Sequence, residues 1–131
     1  MLMMGTMQAL PKIMYPVVDV RDTAQAHLNA IKVPEARNQR FILTAKTHTF
    51  KELCEPLMAH YGEKYPIKTV EMTECPPNNP RFAVLWDKRY DMNNSKSIEI
   101  LGIKYHDIKD TMIDMAESMI ESGMLPDNRS K

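Results

Sequence analysis

The chain has 131 residues, 44% of them hydrophobic, 26% charged and 7% aromatic, with 17 basic and 17 acidic side chains in balance. That length suits one domain with a moderate core, and zero net charge offers no basic surplus for nucleic acid and no acidic tail. No apolar run approaches the ~20 residues of a membrane span, and the start MLMMGTMQALPKIM, broken by Gly5 and Pro11 and lacking a basic lead, is a poor secretory signal.

In chain order, residues 1–14 read as a loop with a mobile start. Val17–Val20 is β-branched and predicts a strand. Asp22 is placed to cap a helix from Thr23 to Val33, with Ala24, Leu28 and Ile31 on one face that needs a sheet to pack on. Arg40–Thr44, RFILT, reads as a second strand covered on both faces. Thr49 and Glu52 form a capping box that opens a helix with the apolar stripe Phe50, Leu53, Leu57 and Met58, and Pro56 is expected to bend or confine it.

Lys68–Met72 suggests a short edge strand. The prolines of Glu74–Pro80 demand a loop. Phe82–Trp86 is open to helix or strand. Asn94 or Ser95 caps a short helix closed by Gly102. Asp107 caps the last one, with Ile108, Met112, Met115, Met119 and Ile120 along one face and Gly123 at its end. Residues 126–131 read as a polar tail.

The chemistry-bearing residues are sparse. Cys54 and Cys75 are far apart and predict free thiols in a reducing, cytoplasmic setting. His27, His48, His60 and His106 lack metal-ligand spacing, so no metal site is expected. Tyr105 and Lys109 spell Y-x-x-x-K, a spacing that works only when both lie on one helix face, whereas Tyr105 precedes the expected cap at Asp107. No G-x-G-x-x-G or Walker loop is present, so no dinucleotide or nucleotide fingerprint exists. The twelve methionines predict core filling, with an adaptable binding surface as the alternative.

Taken in order, VVDVRDTAQAH, PEARNQRFIL, TFKEL, YPI, NSKSIEILGIKY and a closing SGMLP resemble the C-terminal part of extended short-chain dehydrogenases/reductases. Within the NAD-dependent epimerase/dehydratase family they are most similar to the dihydroflavonol reductase and cinnamoyl-CoA reductase group, from Leu10 to Pro126. The resemblance implies an α/β fold, the C-terminal portion of an extended Rossmann-type reductase. It would comprise the last sheet strand and a small α+β substrate lobe, with the N-terminal cofactor-binding half absent. Residues 1–48 would form the end of the dinucleotide-binding sheet region and its connecting helix, and residues 49–131 the substrate-binding lobe.

The implied function is the substrate-binding portion of an NAD(P)-dependent reductase acting on an aldehyde or ketone, not catalytic alone. The alternative is a non-catalytic interaction or structural protein derived from such a reductase. No catalytic or cofactor-binding residue carries over to this chain; NADP or NAD belongs to the full-length family. Met14, Tyr15 and Pro16, just ahead of the VDVRD stretch, would line the substrate pocket. Val17–Asp22 would be structural, with Asp19 and Arg21 as polar ties. The bare edge of Arg40–Thr44 would favour self-association or a partner protein.

Overall fold

A computed structural model describes residues 2–130; Met1 and Lys131, the ends of the expected loop and tail, lie outside the described residues. The order of elements is β1 (Met14–Val17), α1 (Val20–Lys32), β2 (Lys46–Thr49), α2 (Phe50–Tyr61), α3 (Pro80–Leu85), α4 (Ser95–Leu101) and α5 (Ile108–Glu121). Short 3-10 turns follow α1 at Pro34–Ala36 and α2 at Gly62–Lys64. β1 and β2 pair in a two-stranded sheet.

The chain folds into two compact units that interleave along the sequence. The first takes Met1–Tyr15, His48–Arg89 and Ile108–Lys131, and the second Pro16–Thr47 and Tyr90–Asp107.

In the first unit α2 packs on α5. Leu53, Leu57 and Tyr61 on α2, and Met112, Ala116 and Ile120 on α5, are all buried. The spacings of four and eight residues put each trio on one face. The capping box forms as expected: Glu52 N donates to Thr49 Oγ1 at 3.2 Å, and Thr49 N donates to Glu52 Oε2 at 2.8 Å. The helix runs through Pro56, which leaves the carbonyl four residues back without its usual donor. The N-terminal segment is tied down rather than loose. Met3 and Leu10 are buried, and Leu10 bridges to Glu71, with Leu10 N donating to Val70 O and Met72 N to Leu10 O. That single bridge is all that forms of the expected edge strand among the described residues. Gly5 lies at φ +61, where a Cβ would stand 2.5 Å from the Pro66 carbonyl oxygen, so only glycine fits this approach. Phe82–Trp86 falls largely in α3, whose N-cap Asn79 accepts from Phe82 N.

In the second unit a small core of Ala26, Ala36, Leu101 and Ile103 is covered by Val33, Phe41, Leu43, Ile100 and Tyr105. Two expectations are corrected here. The first strand ends at Val17, and α1 begins at Val20 with Asp19, not Asp22, as its N-cap; Asp19 accepts from Arg21 N at 2.8 Å. Arg40–Thr44 is an extended loop, and β2 starts later, at Lys46. Phe41 and Leu43 pack against the core, but Ile42 is 48% exposed, so the segment is not covered on both faces, and the carbonyl at its C-terminal end is bonded by a side chain and not by a neighbouring strand. Asn94 Nδ2 donates to the Thr44 and Ala45 carbonyls at 2.7 and 3.3 Å, and Ala45 N donates to Val17 O. The Asn94 side chain is thereby drawn away from capping α4, which it precedes. Gly102 closes α4 in the left-handed conformation, as expected.

Candidate functional site

The expected pocket-edge residues lie consecutively on β1. Strand alternation buries Met14, at 4% exposure, and turns Tyr15 outward, at 42%. The Tyr15 ring meets the Phe50 ring edge-on at 5.1 Å, an arrangement that favours the ring quadrupoles and fixes the tyrosine's position. Pro16, which supplies no backbone donor, is exposed. Met14 and Tyr15 belong to the first unit and Pro16 to the second.

The corner that follows is built from charge. Arg21 grips Asp19 through two parallel bonds, Nε to Oδ1 at 2.9 Å and Nη2 to Oδ2 at 2.7 Å, the bidentate geometry that suits a guanidinium and a carboxylate. Asp22, only 3% exposed, has a different task from capping. It accepts from the backbone N–H of His106 at 2.9 Å and meets His106 Nδ1 at 2.6 Å. It thus ties α1 to the stretch after α4, inside the second unit.

This corner does not fit a dinucleotide. A Rossmann half seats its pyrophosphate on the open N-terminus of the helix that follows a strand, across a glycine-rich turn. At the start of α1 the Asp19 carboxylate already takes the first-turn N–H and would repel phosphate, and the turn Val18–Asp19 holds no glycine.

The Y-x-x-x-K match is taken apart by the geometry. Tyr105 lies outside the helix that carries Lys109. Its hydroxyl stands 2.7 Å from Ser97 Oγ. Ser97 gives its one hydrogen to Asn94 O at 2.6 Å, so the Tyr105 hydroxyl is the donor in that pair. Both groups serve the fold of the second unit.

The most polar cluster in the first unit was not expected from the sequence. Tyr61 donates to Glu117 Oε1 at 2.6 Å, and Arg129 Nη1 donates to Glu117 Oε2 at 2.6 Å. Arg129 also grips Asp127, through Nε at 3.0 Å and Nη2 at 2.7 Å. Burial pushes the Tyr61 phenol well above the usual tyrosine range, and its bond to Glu117 adds to the shift. The same bond, with the help of Arg129, holds Glu117 below the ordinary carboxylate range, and the Arg129 side chain brings Asp127 down to about 2. Tyr61 thus keeps the proton it donates while Glu117 and Asp127 stay charged opposite Arg129, a holding arrangement rather than a proton-transfer one. On the same helix as Tyr61, burial raises the Cys54 thiol, which opposes nucleophile formation. Among the described residues no three His, Cys, Asp or Glu side chains gather as a metal-holding group.

Comparison with known proteins decides the family. No protein-family model matches the chain. A ketoreductase of Aspergillus niger, azaE, is 32% identical over 104 residues, which cover 79% of this chain and 28% of that protein. Cinnamoyl-CoA reductase 2 of Arabidopsis thaliana is 30% identical over 122 residues, covering 93% of this chain and 33% of its own length. Among solved structures, yeast methylglyoxal/isovaleraldehyde reductase Gre2 complexed with NADPH superposes with a TM-score of 0.62 at 25% identity, over 88% of this chain and 36% of that one. The chain belongs to the extended short-chain dehydrogenases/reductases. It corresponds to a C-terminal portion of their Rossmann-type fold, and it spans about a third of the length of the relatives it matches. The matched Gre2 structure is complexed with NADPH. No helix among the described residues of the present chain is long and apolar enough to cross a membrane.

Proposed function

We propose that the chain is the substrate-side portion of an NAD(P)-dependent reductase of aldehyde or ketone groups, without catalytic activity by itself. In this reading residues 1–48 are the end of the dinucleotide-binding sheet region with its connecting helix, and residues 49–131 the substrate-binding lobe. Met14, Tyr15 and Pro16 edge the pocket. The cofactor, NADP or NAD, is held by parts of the fold that the chain does not supply.

One observation carries the reading. Val20, Ala24, Leu28 and Ile31 recur along α1 at helical spacing and form an apolar stripe, yet all four are exposed, Val20 to 80%, Leu28 to 51% and Ile31 to 85%. A helix face of that composition is suited to lying against a sheet. The capped, glycine-free corner ahead of it supports the absence of independent cofactor binding.

The test uses the 131-residue protein with NADPH and a small aldehyde. The expected result is unchanged NADPH fluorescence on mixing and no NADPH consumption. Quenching at micromolar protein, or turnover, would overturn the reading. The same open stripe favours a second reading, a non-catalytic protein that docks through α1. That reading expects a concentration-dependent dimer or a captured partner in light scattering, and a persistent monomer counts against it.

A further inference from the structure

A second feature of the first unit is independent of the reductase reading. Leu2, Met3, Leu57, Met112, Met115, Ala116, Met119 and Leu125 line a half-open pocket of about 220 Å³, with Met115 50% exposed at its rim. None of Met14, Tyr15 and Pro16 is among them. No charged or hydrogen-bonding side chain lines it, so a charged or strongly polar guest would lose its hydration without compensation. Its volume is of the order of the ~150 Å³ that holds one benzene molecule in an apolar interior. Four of its eight walls are methionines, unbranched and polarizable, which adjust to irregular guests and make favourable sulfur–aromatic contacts. Met112, Met115 and Met119 come from one face of α5 at spacings of three and four residues.

One wall is held by a polar clasp. Leu125 is 6% exposed, and the segment after it is pinned at several points. The Tyr65 hydroxyl donates to Pro126 O at 2.8 Å and accepts from Asn128 N at 3.2 Å. Arg129 bonds Glu117 on α5, and Lys64 Nζ donates to Arg129 O.

We propose that this pocket binds a small, uncharged apolar molecule of about benzene size, with the segment 125–129 as the wall whose clasp slows the exchange of the bound molecule. Benzene is the probe, followed by the methionine methyl resonances in solution. The expected result is a saturable shift confined to Met3, Met112, Met115 and Met119, with Met58 and Met92 unmoved. Ala116→Leu, which fills the cavity, abolishes the shift while helix content is kept. Arg129→Ala, which loosens the clasp and leaves the lining intact, makes exchange of the probe several-fold faster. The proposal fails if the methyls of the wild-type protein and of Arg129→Ala do not respond, or if all methionines shift alike. If Ala116→Leu does not fold, Arg129→Ala still decides, since exchange equal to wild type removes the clasp's role. Loss of benzene binding would leave the reductase reading untouched, because that reading is tested by NADPH alone.

Discussion

Two amphipathic helices of similar length meet opposite fates. On α5 the apolar residues Met112, Ala116 and Ile120 are covered, each at most 4% exposed on a helix packed against α2, with Met115 at the edge of that face 50% exposed. On α1 the stripe of Val20, Leu28 and Ile31 stands open, and the helix buries Asp22 and Ala26 instead. Periodicity reveals a helix and its apolar face; it does not reveal whether the same chain supplies the cover. In the first unit it does. In the second, the sheet that the stripe calls for is not among the described residues.

The sharpest way to test the contrast is to remove a covered side chain. Leu57 is 2% exposed and lies on the α2 face toward α5. Leu57→Ala removes its buried methyl groups and enlarges the cavity beside it, so it should destabilise the protein by about 2–5 kcal/mol. Chemical denaturation with urea measures this through the midpoint. A loss below roughly 1 kcal/mol would mean that the α2–α5 contact is loose and that the two helices differ less than their burial indicates.

The second unit adds to its small apolar core a buried polar tie, and that tie breaks differently. Asp22→Ala leaves the His106 backbone N–H and ring without their acceptor, a cost of about 1–3 kcal/mol. Asp22→Asn keeps an acceptor for the N–H and should recover part of the loss. Equal stability for Asp22→Ala and wild type, measured by thermal unfolding, would sink the idea that this contact organises the unit.

These residues also mark what was legible in the chain. Local signals were readable. Thr49 and Glu52 are three residues apart and cap α2 as read, and Gly102 sits where a left-handed closure was expected. Long-range polar partners were not. Asp22 looks like an N-cap on its own, but its partner lies 84 residues away, and the local cap is Asp19. In Arg40–Thr44 only Phe41 and Leu43 face the core, while Ile42 is 48% exposed; strand character depends on who takes the carbonyls, and Asn94 takes those of Thr44 and Ala45 from about 50 residues away. The polar tail hid its role for the same reason: the groups that hold it, Tyr65 and Glu117, gain meaning only once α2 and α5 have packed. The Met14–Pro16 edge carries no local signal of its own and rests on family resemblance.

The smallest effect is the most telling for function. Ile31 is 85% exposed, so Ile31→Glu should alter the chain's own stability by no more than about 0.5 kcal/mol, as for other surface positions. A buried isoleucine could not tolerate the same change, because an unpaired carboxylate in an apolar contact is strongly disfavoured. The substitution therefore separates two meanings of the open stripe. If α1 is exposed in the free chain, the unfolding midpoint of Ile31→Glu stays at the wild-type value, and any self-association seen by light scattering decreases. A large drop in the midpoint would show that the stripe is already covered in solution, by another part of the chain or by a second copy. The contrast between α1 and α5 would then disappear, and with it the main support for reading this chain as one side of a larger reductase.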